Sequence, residues 1–423
     1  MAKPEIRLKG FEGEWDRESF TNAFRFLKNN SLSRADLNYE NGKISNVHYG
    51  DVLIKFGEIL DVDHSILPYI TNSEIADRLD KDNFLQNGDI VFADAAEDNT
   101  VGKCSEIQGM RLTDKVVSGL HTIPCRPIRQ FEKGYLGYFL NSNSYHDQLL
   151  PMIQGTKVCG ISKSNLNLTT ISYPNNIDEQ IALADYFRSL DSLLKSTTKK
   201  IASLKQMKQA CLVSMFPQAG ETTPRVRFKG FEGEWECEPL CNFSKKVTKK
   251  NQNLEYKITL TNSAEYGIIN QLDFFDHDVS NGDNIGGYYI VENDDFVYNP
   301  RISATAPVGP INRNQLGYAG VMSPLYYVFR VHGISKDYLN VFFKTTLWHK
   351  FMKDNGNTGA RFDRLSITDD VFVQMPISYP KDIQEQQHIA SFFTSLDKQI
   401  SLQEKRLEKL KQIKAACLDK MFV

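Results

Sequence analysis

The 423-residue sequence predicts an α+β protein in which two long antiparallel coiled-coil helices separate two similar globular domains, with a pseudo-two-fold internal repeat. Two observations support this. The phrase RLKGFEGEW at 7–15 returns as RFKGFEGEW at 227–235. The segments 171–216 and 377–422 align without a gap, with nearly half of their positions identical. Repetition on this scale indicates a duplicated architecture.

Each copy of the longer repeat starts with ISYP, which predicts a strand that ends at Pro174 or Pro380 because proline cannot donate to a ladder. Apolar residues then recur at spacings of three, four and seven, which predicts a long helix with an apolar seam. Each helix should have about 39 residues and a length of about 58 Å. Such a helix needs a partner along its length, and we expect that partner to be the other copy.

These repeats divide the chain into four segments: 1–170, 171–216, 217–376 and 377–423. If the helices pair antiparallel, Val423 should end near Met1. The repeated phrase then follows the tail of a helix twice, and we expect Trp15 and Trp235 to pack at this joint. A weaker echo relates 87–103 to 293–310, with Asp89 matching Asp295.

Composition narrows the class of protein. The chain has 50 Lys and Arg against 52 Asp and Glu, and its seven Cys show no pairing rhythm, which favours reduced thiols. Neither a signal peptide nor an apolar stretch of about 20 residues is visible. These features predict a soluble cytoplasmic protein without membrane contact.

Motifs for catalysis are missing. The sequence shows no phosphate-binding loop, no dinucleotide fingerprint and no zinc-site spacing. His64 and His277 lie among acidic residues, where solvated turns are the better interpretation than metal ligation. We therefore predict no catalytic residue and no metal site.

The doubled phrase, the ISYP start and the helix ending in KQ.K.ACL..MF together resemble the specificity subunit of type I restriction-modification enzymes. The resemblance implies two target recognition domains, each reading one half of a split double-stranded DNA sequence. It also implies that the long helices dock two modification (methyltransferase) subunits, in a complex with restriction subunits. Catalysis with S-adenosylmethionine, ATP and Mg²⁺ would belong to those partners, and this chain would be a non-enzymatic subunit that binds no cofactor.

Charge fits DNA binding poorly. Residues 16–170 carry 16 basic and 20 acidic residues (16 − 20 = −4), and residues 236–376 carry 14 and 16 (14 − 16 = −2). Because phosphate neutralisation supplies much of the affinity for DNA, we expect weak DNA binding by the isolated chain.

Candidate base contacts lie on polar loops, where Arg, Lys, Asn, Ser and Thr can reach groove edges. The alternative interpretation is that they are merely exposed polar loops. In the first half they are Thr156, Lys157, Ser162, Lys163, Asn165, Asn99, Thr100 and Lys103. In the second half they are Arg301, Ser303, Thr305, Arg313, Asn357, Thr358, Arg361 and Arg364. The basic run 245–253 offers either phosphate contact or a solvated turn.

The helical segments supply a second set of candidates. Glu179, Gln180, Glu385 and Gln386 are predicted to cap the helices first and to contact partner subunits second. The seam itself is predicted to contain Leu190, Ile201, Leu204, Leu396, Leu407 and Leu410. Two other functions stay open from the sequence: an adaptor that binds only proteins, and a fused methylase or nuclease with an unrecognised catalytic site.

Overall fold

The computed structural model describes residues 3–155, 157–273, 282–358 and 363–423. The chain divides into two compact units. Unit 1 consists of Met1–Thr198 and Lys405–Val423, and unit 2 consists of Lys199–Glu404. Each boundary falls inside a long helix, so every unit contains a part of both helices. The division into four segments made from the sequence stays a prediction.

Unit 1 contains strands and mostly short helices. Its strands are β1 (Asp16–Ser19), β2 (Phe24–Phe26), β3 (Leu37–Asn38), β4 (Ser45–Val47), β5 (Ile59–Asp61), β6 (Tyr69–Ile70), β7 (Ile90–Ala93), β8 (Ala95–Ala96), β9 (Cys104–Gln108), β10 (Val116–Ser118), β11 (Thr122–Pro127), β12 (Cys159–Gly160) and β13 (Thr170–Tyr173). Its helices are α1 (Phe20–Ala23), α2 (Tyr49–Asp51), α3 (Ser73–Asp77), α4 (Tyr135–Leu140), α5 (Asn143–Leu149), α6 (Lys163–Asn167) and the start of α7 (Ile177–Ser214).

The central sheet of unit 1 has the strand order β2-β11-β7-β9-β5. A second sheet has the order β10-β4-β6-β3, and β1 pairs antiparallel with β13. The strand β7 reads IVFA and is buried on both faces, as its apolar run predicts. The core beside this sheet is rich in aromatic side chains from α4, α5 and the long helices.

Unit 2 has a central sheet like that of unit 1, with different strands and helices around it. Its strands are β14 (Glu236–Pro239), β15 (Ser244–Lys246), β16 (Leu260–Ser263), β17 (Gly267–Asn270), β18 (Tyr289–Val291), β19 (Phe296–Tyr298), β20 (Ile311–Arg313), β21 (Gly320–Met322), β22 (Tyr327–Val331) and β23 (Pro376–Tyr379). Its helices are α8 (Lys336–Phe342), α9 (His349–Asn355), α10 (Asp369–Phe372) and the start of α11 (Ile383–Lys420).

The sheet of unit 2 has the order β15-β22-β19-β20, which matches β2-β11-β7-β9 of unit 1 strand for strand. The pair β14-β23 likewise matches β1-β13. A buried ion pair is also repeated, because Asp89 binds Arg126 at 2.7 Å and Asp295 binds Arg330 at 2.7 Å. The weak echo that matched Asp89 with Asp295 therefore reflects a real structural equivalence.

Both repeated segments form helices of 38 residues, α7 and α11. The prediction of a mixed α and β protein with two long helices is confirmed. In unit 1, the Tyr186 hydroxyl lies 3.3 Å from the Cys417 thiol and the Asp191 carboxylate lies 2.6 Å from Lys414. As residue numbers rise along α7 they fall along α11, so the two helices run antiparallel within this unit.

Unit 2 shows the same direction. Lys205 lies 2.7 Å from Glu404, and Lys208 lies 2.5 Å from Asp397. Seam residues pack here as the heptad-like spacing predicts, since Leu204 forms a buried cluster with Leu396 and Ile400. Other predicted seam residues are also buried or half-buried: Leu190, Ile201, Leu407 and Leu410.

The first copy of the repeated phrase joins three parts of unit 1. Arg7 donates to Glu179 at the start of α7, with both contacts at 2.7 Å, and to the carbonyl of Gly13 at 2.5 Å. Gly13 has φ 91°, a left-handed conformation that glycine adopts without strain. The amide of Ile6 donates to the Lys420 carbonyl at 2.9 Å, which brings the end of the chain to its beginning.

The second copy makes the same contacts in unit 2. Arg227 donates to Glu385 at 2.8 Å and to the Gly233 carbonyl at 2.6 Å. The Val226 amide donates to the Ser214 carbonyl at 2.9 Å, which is the counterpart of the Ile6 contact. The phrase is therefore one structural joint used twice.

The tryptophans pack at this joint as predicted. Trp15 meets Phe422 edge to face at 6.3 Å between ring centroids, and Trp235 meets Phe216 in the same way at 5.8 Å. Edge-to-face packing of this kind adds stability beyond the area that it buries.

Two predictions for the start of the long helices need correction. The capping contacts come from other residues, because Asn176 accepts from the Asp178 amide and Asp382 accepts from the Gln384 amide. The predicted capping residues Glu179, Gln180, Glu385 and Gln386 are at most 4% exposed. Their side chains are engaged inside the chain, which leaves them no surface for a partner protein.

The two glutamines tie each helix to its own domain. Gln180 accepts from the Glu132 amide at 3.0 Å and donates to the Pro174 carbonyl at 2.9 Å. Gln386 makes the equivalent contacts to Ser335 and Pro380, both at 2.9 Å. The repeated Glu-Gln pair marked residues that hold each helix in place, but the glutamines contact amides about 50 positions earlier in the chain as well as the proline carbonyls nearby.

Within the described ranges, no helix combines the length and apolarity needed to cross a membrane.

The joint can be tested at Arg227. Replacing it (Arg227→Ala) leaves the Glu385 carboxylate, which is 1% exposed, buried without its charge partner. We expect the free energy of unfolding to fall by about 3 kcal/mol, measured by chemical denaturation. The control is Arg225→Ala, because Arg225 is 63% exposed and its ion pair is with Glu221, four residues away. That control should cost about 0.5 kcal/mol or less, and equal losses in both variants would contradict the role of the joint.

Candidate nucleic-acid interface

The two polar loops predicted from the second half lie side by side in unit 2. Arg301 and Arg364 form an antiparallel backbone bridge. The Ile302 amide donates to the Asp363 carbonyl, and the Leu365 amide donates to the Pro300 carbonyl, both at 2.9 Å. Segments about 60 residues apart in sequence are thus held together by main-chain hydrogen bonds.

These loops form one wall of a cleft of about 550 Å³. A cleft of this size is typical of a ligand-binding site. Three predicted contacts line it: Arg301, Ser303 and Arg364. The opposite wall comes from β16 and from two tyrosines. Its other polar and aromatic lining residues include Thr261, Asn262, Ser263, Gln271, Tyr288, Asn299, Ser323 and Tyr326.

The chemistry of the cleft suits hydrogen bonding to bases and phosphates. Arg301 is 64% exposed, and its guanidinium lies 3.9 Å from the Asp363 carboxylate. Guanidinium, amide and hydroxyl groups are those that contact phosphates and read base edges in DNA. The Ser303 hydroxyl lies 3.2 Å from that of Thr305 and accepts from the Ala306 amide at 3.1 Å, which fixes a tight polar turn.

Unit 1 brings its own predicted loops together in the same way. Strand β8 pairs antiparallel with β12, so Ala96 faces Cys159 across the ladder. The Ile161 amide also donates to the Asp94 carbonyl at 3.0 Å. Lys157 lies on the exposed turn just before β12, and the turn 97–103 follows β8. Both units therefore carry a matching pair of adjoining polar loops.

The turn after β8 holds the predicted residues Asn99, Thr100 and Lys103. Asn99 and Lys103 are exposed, and the Thr100 amide donates to the Asp98 carboxylate at 2.8 Å. The hydrogen bonds from Thr100 lower the pKa of Asp98. Burial raises the pKa of the neighbouring Asp94, against the opposing effect of His121.

Several predicted contacts are already used by the fold. Ser162 and Asn165 bind each other in a capping box at the start of α6, with the Ser162 amide 2.8 Å from Asn165 Oδ1. Lys163 is exposed, but its ammonium lies 5.4 Å from the centre of the Phe26 ring. These side chains stay on the surface, although Ser162 and Asn165 have fewer free hydrogen-bonding groups than the sequence suggested.

Arg313 is the clearest correction in this set. Its side chain is only 11% exposed, and its guanidinium binds Asp294 and Asp337, each at 2.5 Å. The prediction that Arg313 contacts DNA is not supported, because this group is occupied in a structural ion pair.

The remaining candidates have simpler placements. Asn357 forms a backbone bridge with Ser366, and Asn357 and Thr358 are exposed. Thr156 and Arg361 lie outside the described residues. The basic run reaches from β15 into a smaller cleft of about 370 Å³ that includes Lys249 and Lys250.

Asn262 and Tyr326 were missed from the sequence. Asn262 lies inside a strand, where polar residues are usually assigned to the solvent face. Its cleft position depends on strand β20 and on residues 297–310, which no local pattern reveals. Tyr326 lies in a turn between apolar strands, and the sequence around it is typical of a hydrophobic core rather than of a binding site.

No metal centre emerges among the residues that the structure describes, since no three His, Cys, Asp or Glu side chains are grouped to hold an ion. His64 instead lies 2.9 Å from Asp61 in an exposed turn. His277 lies outside the described residues.

Comparison with known proteins shows what part of the chain is similar to. Residues 240–412 match the family model of the type I restriction modification DNA specificity domain. Among curated proteins, none matches the chain. The resemblance to type I specificity subunits that the sequence predicts is confirmed.

Two solved structures are similar over almost their whole length. A type I restriction-modification S subunit from M. genitalium aligns over 100% of this chain and 99% of its own, with 14% identity and a TM-score of 0.57. A structure described as the basis of complex assembly and conformational transition in the type I R-M system aligns over 96% and 97%, with 14% identity and a TM-score of 0.53. Similarity at this identity shows a shared fold.

The distinction between exposed and structural arginines can be measured. Arg313→Ala removes both ion pairs and should lower the free energy of unfolding by about 1.5 kcal/mol. Arg301→Ala, at an exposed position on the same unit, should change it by no more than about 0.5 kcal/mol. Chemical denaturation of the two variants checks this, and a larger loss for Arg301→Ala would reverse the assignment.

Proposed function

We propose that this chain is the DNA-recognition subunit of a type I restriction-modification complex. It reads a bipartite, asymmetric site in double-stranded DNA through two target recognition domains. The chain performs no catalysis and binds no cofactor. Adenine-N6 methylation and cleavage belong to two modification subunits and to restriction subunits, which use S-adenosylmethionine, ATP and Mg²⁺. The complex works in the cytoplasm and has no membrane partner.

The observation that carries this proposal is the repeated pair of polar loops on a repeated sheet. In unit 1, residues 94–103 adjoin residues 154–155 and 157–161, and in unit 2, residues 299–310 adjoin residues 357–358 and 363–366. The supporting strands have the same order in both units. The same sheet carries different loop residues in the two units. This arrangement suits recognition of two different half-sites, because base contacts specify the sequence while the sheet only positions the loops.

The long helices suit the role of a spacer and a docking surface. Helices of 38 residues have a length of about 57 Å. Antiparallel contacts within each unit support a continuous antiparallel coiled coil that separates the two domains. Half-sites one turn of B-DNA apart lie about 34 Å from each other, which such a spacer can span if the domains overlap its ends.

Exposed apolar side chains on the helices support a second surface beside the seam. Leu193, Met207, Val213 and Leu402 are between 40% and 54% exposed. Because one stripe of each helix is buried by the other helix, these residues are available to the modification subunits. We propose that the subunits dock there.

The charge balance predicts how binding is shared in the complex. Each recognition domain is slightly acidic, so counterion release contributes little to its own affinity. The modification subunits should supply most of the electrostatic clamp. The isolated chain should therefore bind DNA weakly, and its contribution in the complex should be sequence discrimination.

The central experiment is to map methylated adenines in cells that carry this chain with its modification subunits. The expected result is one split motif with two unlike halves. Exchanging residues 217–376 for the matching segment of a related subunit should change one half and leave the other. A protein-only adaptor would give no motif, and S-adenosylmethionine binding by the purified chain would favour the fused-methylase alternative.

The cleft arginines give a sharper prediction. In the assembled complex, Arg301→Ala or Arg364→Ala should weaken binding to a duplex carrying the mapped motif by roughly fivefold to a hundredfold if the residue contacts a base. Phosphate contact alone would instead weaken binding to all duplexes and lower the salt slope by about one. Fluorescence anisotropy at several salt concentrations separates the two. Arg225→Ala, outside the cleft on the same unit, is the control and should leave binding unchanged.

A further inference from the structure

Three asparagines of unit 2 are linked in series by hydrogen bonds at the cleft. Asn312 is 4% exposed and Asn262 is 1% exposed, so both amides are buried. Asn312 Nδ2 donates to Asn262 Oδ1 at 2.6 Å. The Asn262 carbonyl accepts from Asn299 Nδ2 at 2.8 Å, and Asn299 Oδ1 accepts from the amide of Arg301 at 3.0 Å. We call Asn312, Asn262 and Asn299 the asparagine chain.

The orientation of both buried amides is fixed by backbone carbonyls. Asn262 Nδ2 donates to the carbonyl of Val297 at 2.7 Å, and Asn312 Nδ2 donates to the carbonyl of Ser263 at 3.1 Å. A carbonyl can only accept, so neither amide can be reversed without placing two acceptors face to face. At the Asn312 end of the series, the Lys344 ammonium donates to Asn312 Oδ1.

This chain joins the two walls of the cleft. Asn262 and Ser263 belong to β16, while Asn299 and Arg301 belong to the facing loop. The links from Asn312 to Asn262 and from Asn299 to Asn262 join different segments, while the link from Asn299 Oδ1 to the Arg301 amide is an Asx-type turn within one loop. The width of the cleft and the position of the Arg301 main chain are therefore set by these amides.

We propose that Asn262 and Asn312 are positioning residues that determine the sequence specificity of the unit 2 half-site. Asn262 lines the cleft and Asn312 of β20 binds Asn262, and both act through β16 and the Arg301 main chain. This proposal rests on the proposed function, because it assumes that the cleft reads a DNA half-site. It adds that discrimination at this half-site depends on how these buried amides hold β16 and the Arg301 main chain in place.

Asn312→Asp tests one link while the volume is kept. The new carboxylate still accepts from Lys344, so its charge has a partner. It has no N–H group, however, and it faces two acceptors, the Ser263 carbonyl and Asn262 Oδ1. The link to β16 is broken, and the contact with Lys344 remains.

Asn314→Asp is the matched control. Asn314 is fully buried one residue beyond β20, and its Nδ2 donates to the carbonyls of Glu292 and Tyr318, each at 3.0 Å. The same chemical change there removes a donor to two carbonyls, but Asn314 does not line the cleft. Any effect of Asn314→Asp should be a loss of stability alone.

The experiment uses the chain assembled with its modification subunits. The wild-type methylation motif is mapped first, and duplexes are then made with one base pair changed in either half. For Asn312→Asp, discrimination against changes in the unit 2 half should fall by about tenfold or more, within the range of a lost base-pair preference. Discrimination in the other half should stay within about twofold of wild type, and Asn314→Asp should leave both halves unchanged.

Each other outcome has a definite meaning. If Asn312→Asp melts at the wild-type temperature and discriminates as wild type, the positioning role is wrong. If it melts early and loses discrimination equally in both halves, Asn312 only stabilises the fold, and the positioning role is again wrong. If the wild-type chain directs no split motif at all, the proposed function fails, and this inference fails with it.

Discussion

The architecture depends on an arginine–glutamate contact that occurs twice. Arg7 with Glu179, and Arg227 with Glu385, each fix a glycine-bearing turn against the start of a long helix. The glutamates are 1% exposed, so the desolvation of each carboxylate has to be offset by the guanidinium. A buried pair of this kind contributes little net stability compared with apolar packing, but breaking it is costly. Its contribution here is register, because it allows one position of the turn relative to the helix.

Around this joint the two halves share the same sheet and buried contacts but differ in their surface loops. The sheet order, the Asp–Arg pairs and the glutamine contacts recur in both units. The cores also share an aromatic plan, with Phe422 or Phe216 inserted beside a tryptophan. The loops that follow the equivalent strands β7 and β19 share almost no residues. A frame held by its own buried contacts can accept new loops without losing its fold, which agrees with the proposal that the two halves recognise different sequences.

The sequence predicted those parts of the structure that repeat or that have a short period. The presence and the length of α7 and α11, the strand ends at Pro174 and Pro380, and the packing of both tryptophans followed from pattern alone. It failed where a side chain finds a partner far away in the chain. Glu179 looked like a capping residue, but its partner is 172 positions earlier. Arg313 looked like a DNA contact on a polar loop, but Asp294 and Asp337 hold it. The cleft was predicted in part, since its loops were recognised while Asn262 on the facing strand was not.

The divergence of the halves also extends into the helix pair. Lys414 in unit 1 binds both Glu58 and Asp191, at 2.7 and 2.6 Å, whereas its repeat equivalent Lys208 in unit 2 binds Asp397 alone among the residues that the structure describes. Glu58 lies outside the long helices, next to β5, so in unit 1 a side chain of the globular domain adds to the ion pair between the helices. In unit 2, Lys344 interacts electrostatically with Lys208 and Asp397 of the helices, and its ammonium donates to Asn312 of the asparagine chain. The repeated helix lysine thus meets a carboxylate of the domain, Glu58, in unit 1 and another lysine of the domain, Lys344, in unit 2, so the contact between helices and domain differs between the units. Exchanging a recognition domain between relatives should therefore work best when the residues that face these helix lysines are exchanged with it.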